Sequence, residues 1–253
     1  MTTLPKTSTI NCTLNGGWLT IAFNSPENRN ALNDERVADL SAVLDAIRDD
    51  RTIRGVTLTG EGGVFCAGGD LKAFSAGLQG GADKKAVAEM NRAGGEIFEK
   101  VAACPQVVLA LVEGAAIAGG LGLACCADII VVTRNAKFAL TETQLGIIPA
   151  QIAPYVAKRI GFNTARRLML TGARFQGDMA KEIGLTDYLV DDASGLAQVE
   201  AEVKAAVFGC APGANASTKA LLQDINNLSH EQFKDRAASD FADCLLSEEG
   251  REG

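Results

Sequence analysis

Residues 107–126 read VVLALVEGAAIAGGLGLACC, and this stretch decides the class of fold. It begins with a continuous apolar run over 107–112, which is typical of a strand that a sheet buries on both faces. The glycine-rich turn that follows, 113–122, predicts a short helix that begins near Gly119 and ends near Cys126. A buried strand that feeds a helix through a glycine turn indicates an α/β protein.

Neighbouring segments extend this alternation over most of the chain. Apolar runs predict further strands at 8–13, 18–23, 55–59, 129–133 and 188–190. Helical spacing of apolar residues predicts helices at 33–48, 84–103, 153–160, 164–170 and 177–183. From Gly195 the pattern is helical throughout, over 196–208, after Pro212 and over 231–246. We therefore predict a core over 1–194 and a C-terminal helical region over 195–253.

Composition excludes several classes of function. With 24 basic and 31 acidic residues among 253, the chain has a net charge of −7, which disfavours nucleic acid as a partner. A single histidine, His230, and seven cysteines without a C-x-x-C pair disfavour a metal site and a disulfide framework. The absence of a long apolar run disfavours membrane insertion, and together these features predict a cytoplasmic protein.

A second glycine-rich turn, FCAGGDL at 65–71, also follows a predicted buried strand. Small residues allow a ligand to approach backbone N–H groups, and a helix N-terminus adds partial positive charge. Two such turns at adjacent strand ends can direct two N–H donors at one oxygen, which is the geometry of an oxyanion hole. The alternative is that these glycines only permit tight turns or close packing. Signatures of dinucleotide-binding, P-loop and serine-hydrolase sites are missing.

A third feature is the segment FALTETQLGIIP at 138–149, in which Glu142 lies among largely apolar residues. Burial in such surroundings raises the pKa of a carboxyl group, which suits a general acid or base near neutral pH. A solvated loop glutamate is the alternative interpretation.

These segments occur together in the order and spacing of the crotonase, or enoyl-CoA hydratase/isomerase, family, which the chain resembles over nearly its whole length. The matching segments are NRNALN (28–33), FCAGGDL (65–71), AGG (118–120), ADI (127–129), ExxLGIIP (142–149), LTGA (170–173) and AxxxGL (180–185). The resemblance implies an α/β, crotonase-like spiral of ββα units with a C-terminal helical trimerisation region. It also implies a homotrimer or homohexamer that binds an acyl-CoA thioester, with no separate cofactor because coenzyme A is part of the substrate.

The resemblance further implies roles for individual residues. The two oxyanion donors fall on Ala67 and Gly119, and the acid–base glutamate falls on Glu142. Ala31 matches the segment that contacts adenine. The turn that touches coenzyme A comprises Ala67, Gly68, Gly69 and Asp70.

One departure from the family pattern bears on the reaction. Hydratases of this family carry a second glutamate in the helix after the second oxyanion donor, and that position is Gly122. Glu142 must then act alone, or another polar group must help, or the reaction is not hydration. Gln151, just beyond Pro149, is a candidate for orienting water, with a surface amide as the alternative.

The segments PAQIAPYV (149–156), CCAD (125–128) and 210–219 resemble hydratases that act on branched glutaconyl-CoA esters, which share a glycine at the Gly122 position. The expected activity is an enoyl-CoA hydratase, a hydro-lyase, acting on isohexenylglutaconyl-CoA or 3-methylglutaconyl-CoA in acyclic terpene or leucine catabolism. An enoyl-CoA isomerase with a single glutamate is the alternative. A non-catalytic binding protein is disfavoured by the acidic charge and by the presence of Glu142.

Overall fold

The computed structural model describes residues 2–69, 81 and 83–252, and within them the backbone forms two sheets surrounded by helices. The strands are β1 Ile10–Asn15, β2 Trp18–Phe23, β3 Gly55–Gly60, β4 Val107–Val112, β5 Ala115–Ile117, β6 Ile129–Thr133, β7 Lys137–Ala139, β8 Arg174–Gln176 and β9 Tyr188–Val190. The helices are α1 Asp34–Ile47, α2 Lys84–Ala102, α3 Gly119–Cys125, α4 Ala153–Ile160, α5 Phe162–Thr171, α6 Gly177–Glu182, α7 Ala193–Phe208, α8 Pro212–Asp224, α9 His230–Leu246 and α10 Glu248–Glu252. Short 3-10 helices occupy Pro26–Asn28, Glu61–Gly63 and Glu142–Leu145.

The larger sheet has the strand order β1-β2-β3-β4-β6-β9. Its first two strands form an antiparallel hairpin in which Asn15 pairs with Trp18 across Gly16 and Gly17. These two glycines have φ values of +56° and +83°, which suit the two-residue loop of a tight hairpin. The remaining neighbours are parallel, and the buried run of β4 shows that the sheet is covered on both faces.

The smaller sheet has the order β5-β7-β8, with β5 and β7 parallel. Each of its first two strands directly follows a strand of the larger sheet: β4 leads into β5 and then α3, and β6 leads into β7 and then the 3-10 helix at Glu142–Leu145. This repeat confirms the predicted α/β fold of ββα units.

The C-terminal region is helical, as predicted, and its first helix is part of the body. The predicted boundary at 194–195 lies within α7, which packs against β4, β6 and β9. A buried hydrophobic cluster joins this helix to the sheet through Leu196, Val199, Val203 and Val207, with Trp18, Leu109, Leu111 and Val131 on the strands. Further along, the Lys219 ammonium of α8 lies 2.6 Å from the Asp128 carboxylate, which ties α8 to the same sheet. No helix within the described ranges combines the length and apolarity needed to cross a membrane.

The observed elements depart from the predicted ones at a few places. The first strand begins at Ile10 rather than at 8 because the backbone N–H groups of Ser8 and Thr9 donate to the Asp39 carboxylate of α1. The helix predicted at 164–170 begins at Phe162. The three strands of the smaller sheet, each of three residues, were not predicted because so short a segment carries no readable hydrophobic period.

Candidate active site

The two glycine-rich turns lie side by side because the turn at 65–69 forms bridges on both of its edges. Cys66 forms an isolated parallel bridge with Ala116 of β5, and Gly69 forms one with Leu32. The first bridge places the 65–69 turn against the strand that leads into α3. The predicted convergence of the two turns is therefore present in the structure.

The backbone of Gly69 lies next to that of Gly119. Gly119 is the first residue of α3, and a first-turn N–H has no partner within its own helix. A Cβ placed on Gly119 would lie 3.6 Å from the Gly69 nitrogen. Leu32 donates to the Gly68 carbonyl at 2.7 Å, and in a parallel bridge of this register the Gly69 N–H points away from Leu32. It therefore points toward α3.

An unusual backbone conformation directs the Gly119 amide. Ala118 has φ +49° and ψ −120°, which a residue with a side chain rarely adopts. Its N–H donates to the Ala139 carbonyl at 2.8 Å, so the pairing of β5 with β7 holds this conformation in place. Strain of this kind is concentrated at functional sites, where the surrounding structure determines it.

The prediction that Ala67 supplies the first oxyanion donor is corrected by the structure. The Ala67 N–H donates to the Arg29 carbonyl at 3.0 Å, which engages this amide within the chain. Gly68 follows with φ +93°, and this left-handed residue turns the chain so that the Gly69 amide faces Gly119 instead. Gly69 was predicted only as a coenzyme A contact. The consecutive glycines are the sequence signal that could have located the donor.

Glu142 is buried, at 8% exposure, as the apolar surroundings in the sequence suggested. It begins the 3-10 helix that follows β7, and Ile117 pairs with Ala139, so Glu142 and Gly119 leave the same end of two paired strands. Burial raises the pKa of the Glu142 carboxyl above its ordinary value. Its Oε2 atom has no hydrogen-bond partner among the described residues. An unpartnered carboxylate of raised pKa suits proton transfer.

Two side chains hold the 3-10 helix of Glu142 on α5. The Thr143 hydroxyl donates to the Met169 carbonyl at 2.9 Å, and the Gln144 amide donates to the Gly172 carbonyl at 3.1 Å. These bonds fix the backbone next to the carboxylate. Sequence analysis missed both residues because their partners lie almost thirty positions away.

The space beside Gly122 is filled by Ile152. A Cβ at Gly122 would lie 2.2 Å from Ile152 Cγ2 and 2.5 Å from Ile152 Cβ. Gly119 and Gly122 are three positions apart on one helix, so they share a face. An apolar side chain therefore occupies the side of α3 where the family pattern has a second glutamate, and it leaves no room for one.

Gln151 contacts α2. Its amide nitrogen donates to Asn91 Oδ1 at 2.8 Å, and its side chain lies directly against Gly95. A Cβ at Gly95 would come within 2.4 Å of Gln151 Oε1. The structure thus joins Gln151 to α2, and its proposed role in orienting water stays a prediction beside the alternative of a surface amide.

The remaining predicted binding residues lie within or next to the turn at 65–69. Ala31 lies next to Leu32, and its carbonyl accepts a hydrogen bond from Arg36 Nη1. Gly68 and Gly69 lie in the turn itself, whereas Asp70 is outside the described residues. Arg36 is fully buried, and this feature was not predicted because arginine is seldom buried without a partner charge. No cluster of potential metal ligands occurs within the described ranges.

Comparisons with known proteins show the family to which the chain belongs. A family model described as enoyl-CoA hydratase/isomerase matches residues 13–240. The solved structure of Pseudomonas aeruginosa AtuE superposes with a TM-score of 0.94 at 45% identity, covering 97% of this chain and 95% of that one. A probable enoyl-CoA hydratase from Bacillus subtilis is 31% identical over 225 residues, 88% of this chain and 86% of its own length. The 1,2-epoxyphenylacetyl-CoA isomerase of Escherichia coli is 34% identical over 177 residues, 70% of this chain and 67% of its own.

Proposed function

Because this chain belongs to the enoyl-CoA hydratase/isomerase family, we propose that it hydrates a branched 3-substituted glutaconyl-CoA to a 3-hydroxyacyl-CoA. The substrate is isohexenylglutaconyl-CoA or 3-methylglutaconyl-CoA, from acyclic terpene or leucine catabolism. One observation carries the proposal: the buried Glu142, whose Oε2 atom has no hydrogen-bond partner among the described residues, follows the same strand ends as Gly119, and Gly119 lies next to Gly69.

The geometry supports a two-step addition in which one carboxylate handles both proton transfers. The Glu142 carboxylate takes a proton from water while the water oxygen bonds to C3 of the enoyl thioester. The C2–C3 double-bond electrons move to the thioester oxygen, and the Gly69 and Gly119 N–H groups stabilise the resulting enolate. The protonated Glu142 then delivers its proton to C2, and the thioester carbonyl re-forms. The net change is the addition of one water molecule, and Glu142 returns to its ionised form.

The raised pKa of Glu142 is what a single acid–base group requires. A glutamate carboxylate with the ordinary pKa of 4.5 would be a weak base towards water, and it would lose a captured proton to solvent near neutral pH. Burial against apolar neighbours raises the pKa of Glu142 and so strengthens it as a base. The Oε2 atom, which has no partner among the described residues, is available to water or to C2.

The choice of a branched glutaconyl thioester is supported by segments 149–156, 125–128 and 210–219, which resemble hydratases of such esters. Those hydratases share a glycine at the position of Gly122. In this chain the Ile152 side chain fills the space that a side chain at Gly122 would occupy.

Reaction in ¹⁸O-labelled water tests the proposal. The protein is incubated with 3-methylglutaconyl-CoA and, separately, with isohexenylglutaconyl-CoA, and the products are analysed by mass spectrometry. Hydration places one labelled oxygen in the product. Migration of the double bond without label would instead establish an isomerase, which the single carboxylate also favours, because moving a double bond needs one base that returns its proton. Turnover of neither ester refutes the proposed substrate class.

Glu142→Gln separates an enzyme from a non-catalytic binding protein of the same fold. The substitution keeps the size of the side chain and removes its ability to accept a proton. A general acid–base group contributes about 10²–10⁴-fold to the rate, so turnover within about tenfold of the unmodified protein excludes the role of Glu142.

We also propose that the protein assembles as a homotrimer or homohexamer. The C-terminal helices α8 and α9 expose large apolar side chains, and contiguous apolar surface is typical of a protein interface. The most exposed are Leu222 at 54%, Phe241 at 69%, Leu245 at 55% and Leu246 at 65%. Light scattering coupled to size-exclusion chromatography measures the mass of the assembly, and a monomer at micromolar concentration refutes the proposal.

A further inference from the structure

A continuous hydrogen-bonded chain runs from the buried guanidinium of Arg36 to the amide of Gly69. Arg36 Nη1 donates to the Ala31 carbonyl. The N–H of that same peptide group belongs to Leu32, and it donates to the Gly68 carbonyl at 2.7 Å. The N–H of this second peptide group belongs to Gly69, which faces Gly119. Two peptide groups in series therefore connect a cation to a proposed oxyanion donor.

The Arg36 guanidinium has no hydrogen bond to a carboxylate among the described residues, although Glu27, Asp39 and Glu35 lie near enough to favour its charge. The side chain is 0% exposed and lies over the Phe23 ring, with Cζ 5.9 Å from the ring centroid. Its Nε and Nη2 atoms have no hydrogen-bond partner among the described residues. The neighbouring Cys66 thiol stays neutral, because burial raises its pKa to about 11. Burial lowers the pKa of Arg36, but a guanidinium keeps its proton in proteins.

The carboxylates nearest to Arg36 along α1 are engaged elsewhere. Glu35 accepts a hydrogen bond from the Ser8 hydroxyl at 2.7 Å, and Asp39 accepts from the Thr9 hydroxyl at 2.8 Å. Neither carboxylate bonds to the guanidinium, so its field acts on the Ala31 carbonyl in a medium that screens it weakly.

We propose that Arg36 is a positioning residue of the oxyanion hole, whose guanidinium polarises the Ala31–Leu32 and Gly68–Gly69 peptide groups and so strengthens the Gly69 N–H as a donor to the thioester oxygen. Hydrogen bonds aligned head to tail strengthen one another, because each carbonyl that accepts a bond makes the N–H of its own peptide group more acidic. The inference rests on the proposed function, since it requires a thioester oxygen at the Gly69 and Gly119 amides. The role is distinct from that of Glu142, because Arg36 touches neither water nor substrate.

The thioester carbonyl stretch of a bound ligand reports this polarisation directly. We would use 3-methylglutaryl-CoA labelled with ¹³C at the thioester carbonyl, a saturated analogue that cannot be hydrated, and isotope-edited infrared difference spectra. In the unmodified protein the stretch should lie at lower frequency than in water. Arg36→Met should reverse about a quarter of that shift, given a strengthening of roughly 10–30% for each aligned bond. For 3-methylglutaconyl-CoA, kcat should fall about tenfold and KM change less than about threefold, less than the loss of a whole donor.

Arg54→Met is the matched control. Arg54 also donates to backbone carbonyls, those of Val207 and Cys210, and lies over the Phe208 ring at 5.6 Å. None of these partners leads to Gly69, so Arg54→Met should leave both kcat and the carbonyl frequency unchanged. Arg36→Lys keeps the positive charge and should retain most of the shift, whereas Arg36→Gln should lose as much of it as Arg36→Met.

The outcomes separate this inference from the proposed function. A carbonyl frequency in the unmodified protein equal to that in water overturns the oxyanion hole itself. A shifted frequency that survives in folded Arg36→Met and Arg36→Gln overturns the role of Arg36 alone, even if kcat falls. If no Arg36 variant folds, NMR chemical shifts of the backbone amide protons in the unmodified protein test the inference. Ligand binding should move the Leu32 and Gly69 signals downfield together. Movement of the Gly69 signal alone overturns the inference.

Discussion

Substituting Gly119 by alanine should abolish most activity without weakening the fold. The backbone of Gly119 lies outside the left-handed region, so alanine can adopt its conformation. The new Cβ would lie 3.4 Å from Leu32 Cδ1 and 3.6 Å from the Gly69 nitrogen, which are ordinary contact distances. The methyl group therefore fits the folded protein. Gly119 is the first residue of α3, where the preference of helices for alanine over glycine is smaller than in a helix interior, so the free energy of unfolding should stay nearly constant.

The same methyl group should crowd the thioester oxygen. An oxygen that accepts from both the Gly69 and Gly119 amides must lie about 2.9 Å from each nitrogen, and the methyl would lie only 3.6 Å from the Gly69 nitrogen. Loss of one oxyanion donor costs about 10²-fold, equivalent to about 2.7 kcal/mol of transition-state stabilisation. We therefore expect kcat/KM for 3-methylglutaconyl-CoA to fall at least about 10²-fold, with thermal unfolding unchanged.

Gly94→Ala is the control for this experiment. Gly94 lies on α2 with nothing within 4 Å of the added Cβ, so the substitution should raise the unfolding temperature slightly and leave kcat/KM constant. Activity of Gly119→Ala within about threefold of the unmodified protein would show that the thioester oxygen binds elsewhere. Unfolding of Gly119→Ala would refute the packing argument.

Four further predictions concern the acid, the filled position and the C-terminal helices. Glu142→Gln should lower kcat about 10²–10⁴-fold. It should not lower the midpoint of thermal unfolding at pH 7, because the folded protein no longer buries a charge at this position. A drop in that midpoint would refute this reasoning. Hydration needs ionised Glu142, so kcat/KM should fall as the pH drops through a pKa above the ordinary 4.5 of a glutamate; a profile flat down to that value contradicts the raised pKa. Gly122→Ala forces a Cβ to within 2.2 Å of Ile152 Cγ2 and should cost about 1–3 kcal/mol of stability in urea unfolding, whereas an unchanged midpoint would mean that Ile152 moves aside freely. Lys219→Met removes the ion-pair partner of the half-buried Asp128 and should lower the free energy of unfolding in urea by about 1–2 kcal/mol. An unchanged free energy of unfolding would contradict this prediction.

Strands and helices with a long apolar run or a regular apolar spacing were predictable from the sequence. The strand at 107–112 and the helix at 153–160 have the predicted bounds, because each presents a full apolar run or stripe. The smaller sheet could not be predicted from the sequence, because three-residue strands depend on pairing between segments such as Ala115–Ile117 and Lys137–Ala139. That sheet nevertheless brings Glu142 to the same strand ends as Gly119, so the least predictable element organises the site.

The site itself was predicted in composition more accurately than in geometry. Gly119 begins α3 and Glu142 is buried, as the sequence suggested. The Ala67 N–H is bonded to Arg29, so the first proposed donor becomes Gly69, because an N–H direction depends on the positive φ of Gly68. Ile152 and Arg36 were missed for a different reason. Their significance lies in what they touch, at Gly122 and Ala31, and such contacts follow from packing rather than from any local pattern.

The filled position at Gly122 and the raised pKa of Glu142 have a common physical origin. Ile152 and Leu140, two residues before Glu142, belong to one buried hydrophobic cluster, and burial also raises the pKa of the Glu142 carboxyl. A second glutamate would share the work of orienting water and would add a like charge. Without it, burial alone must raise the basicity of Glu142. In the proposed mechanism, polarisation of the thioester through Gly69 and the Arg36 chain then lowers the barrier for a single base of modest strength. Removing Arg36 should therefore slow a slow substrate more than an already activated one, because the contribution of the oxyanion hole grows with the negative charge that the thioester oxygen must carry.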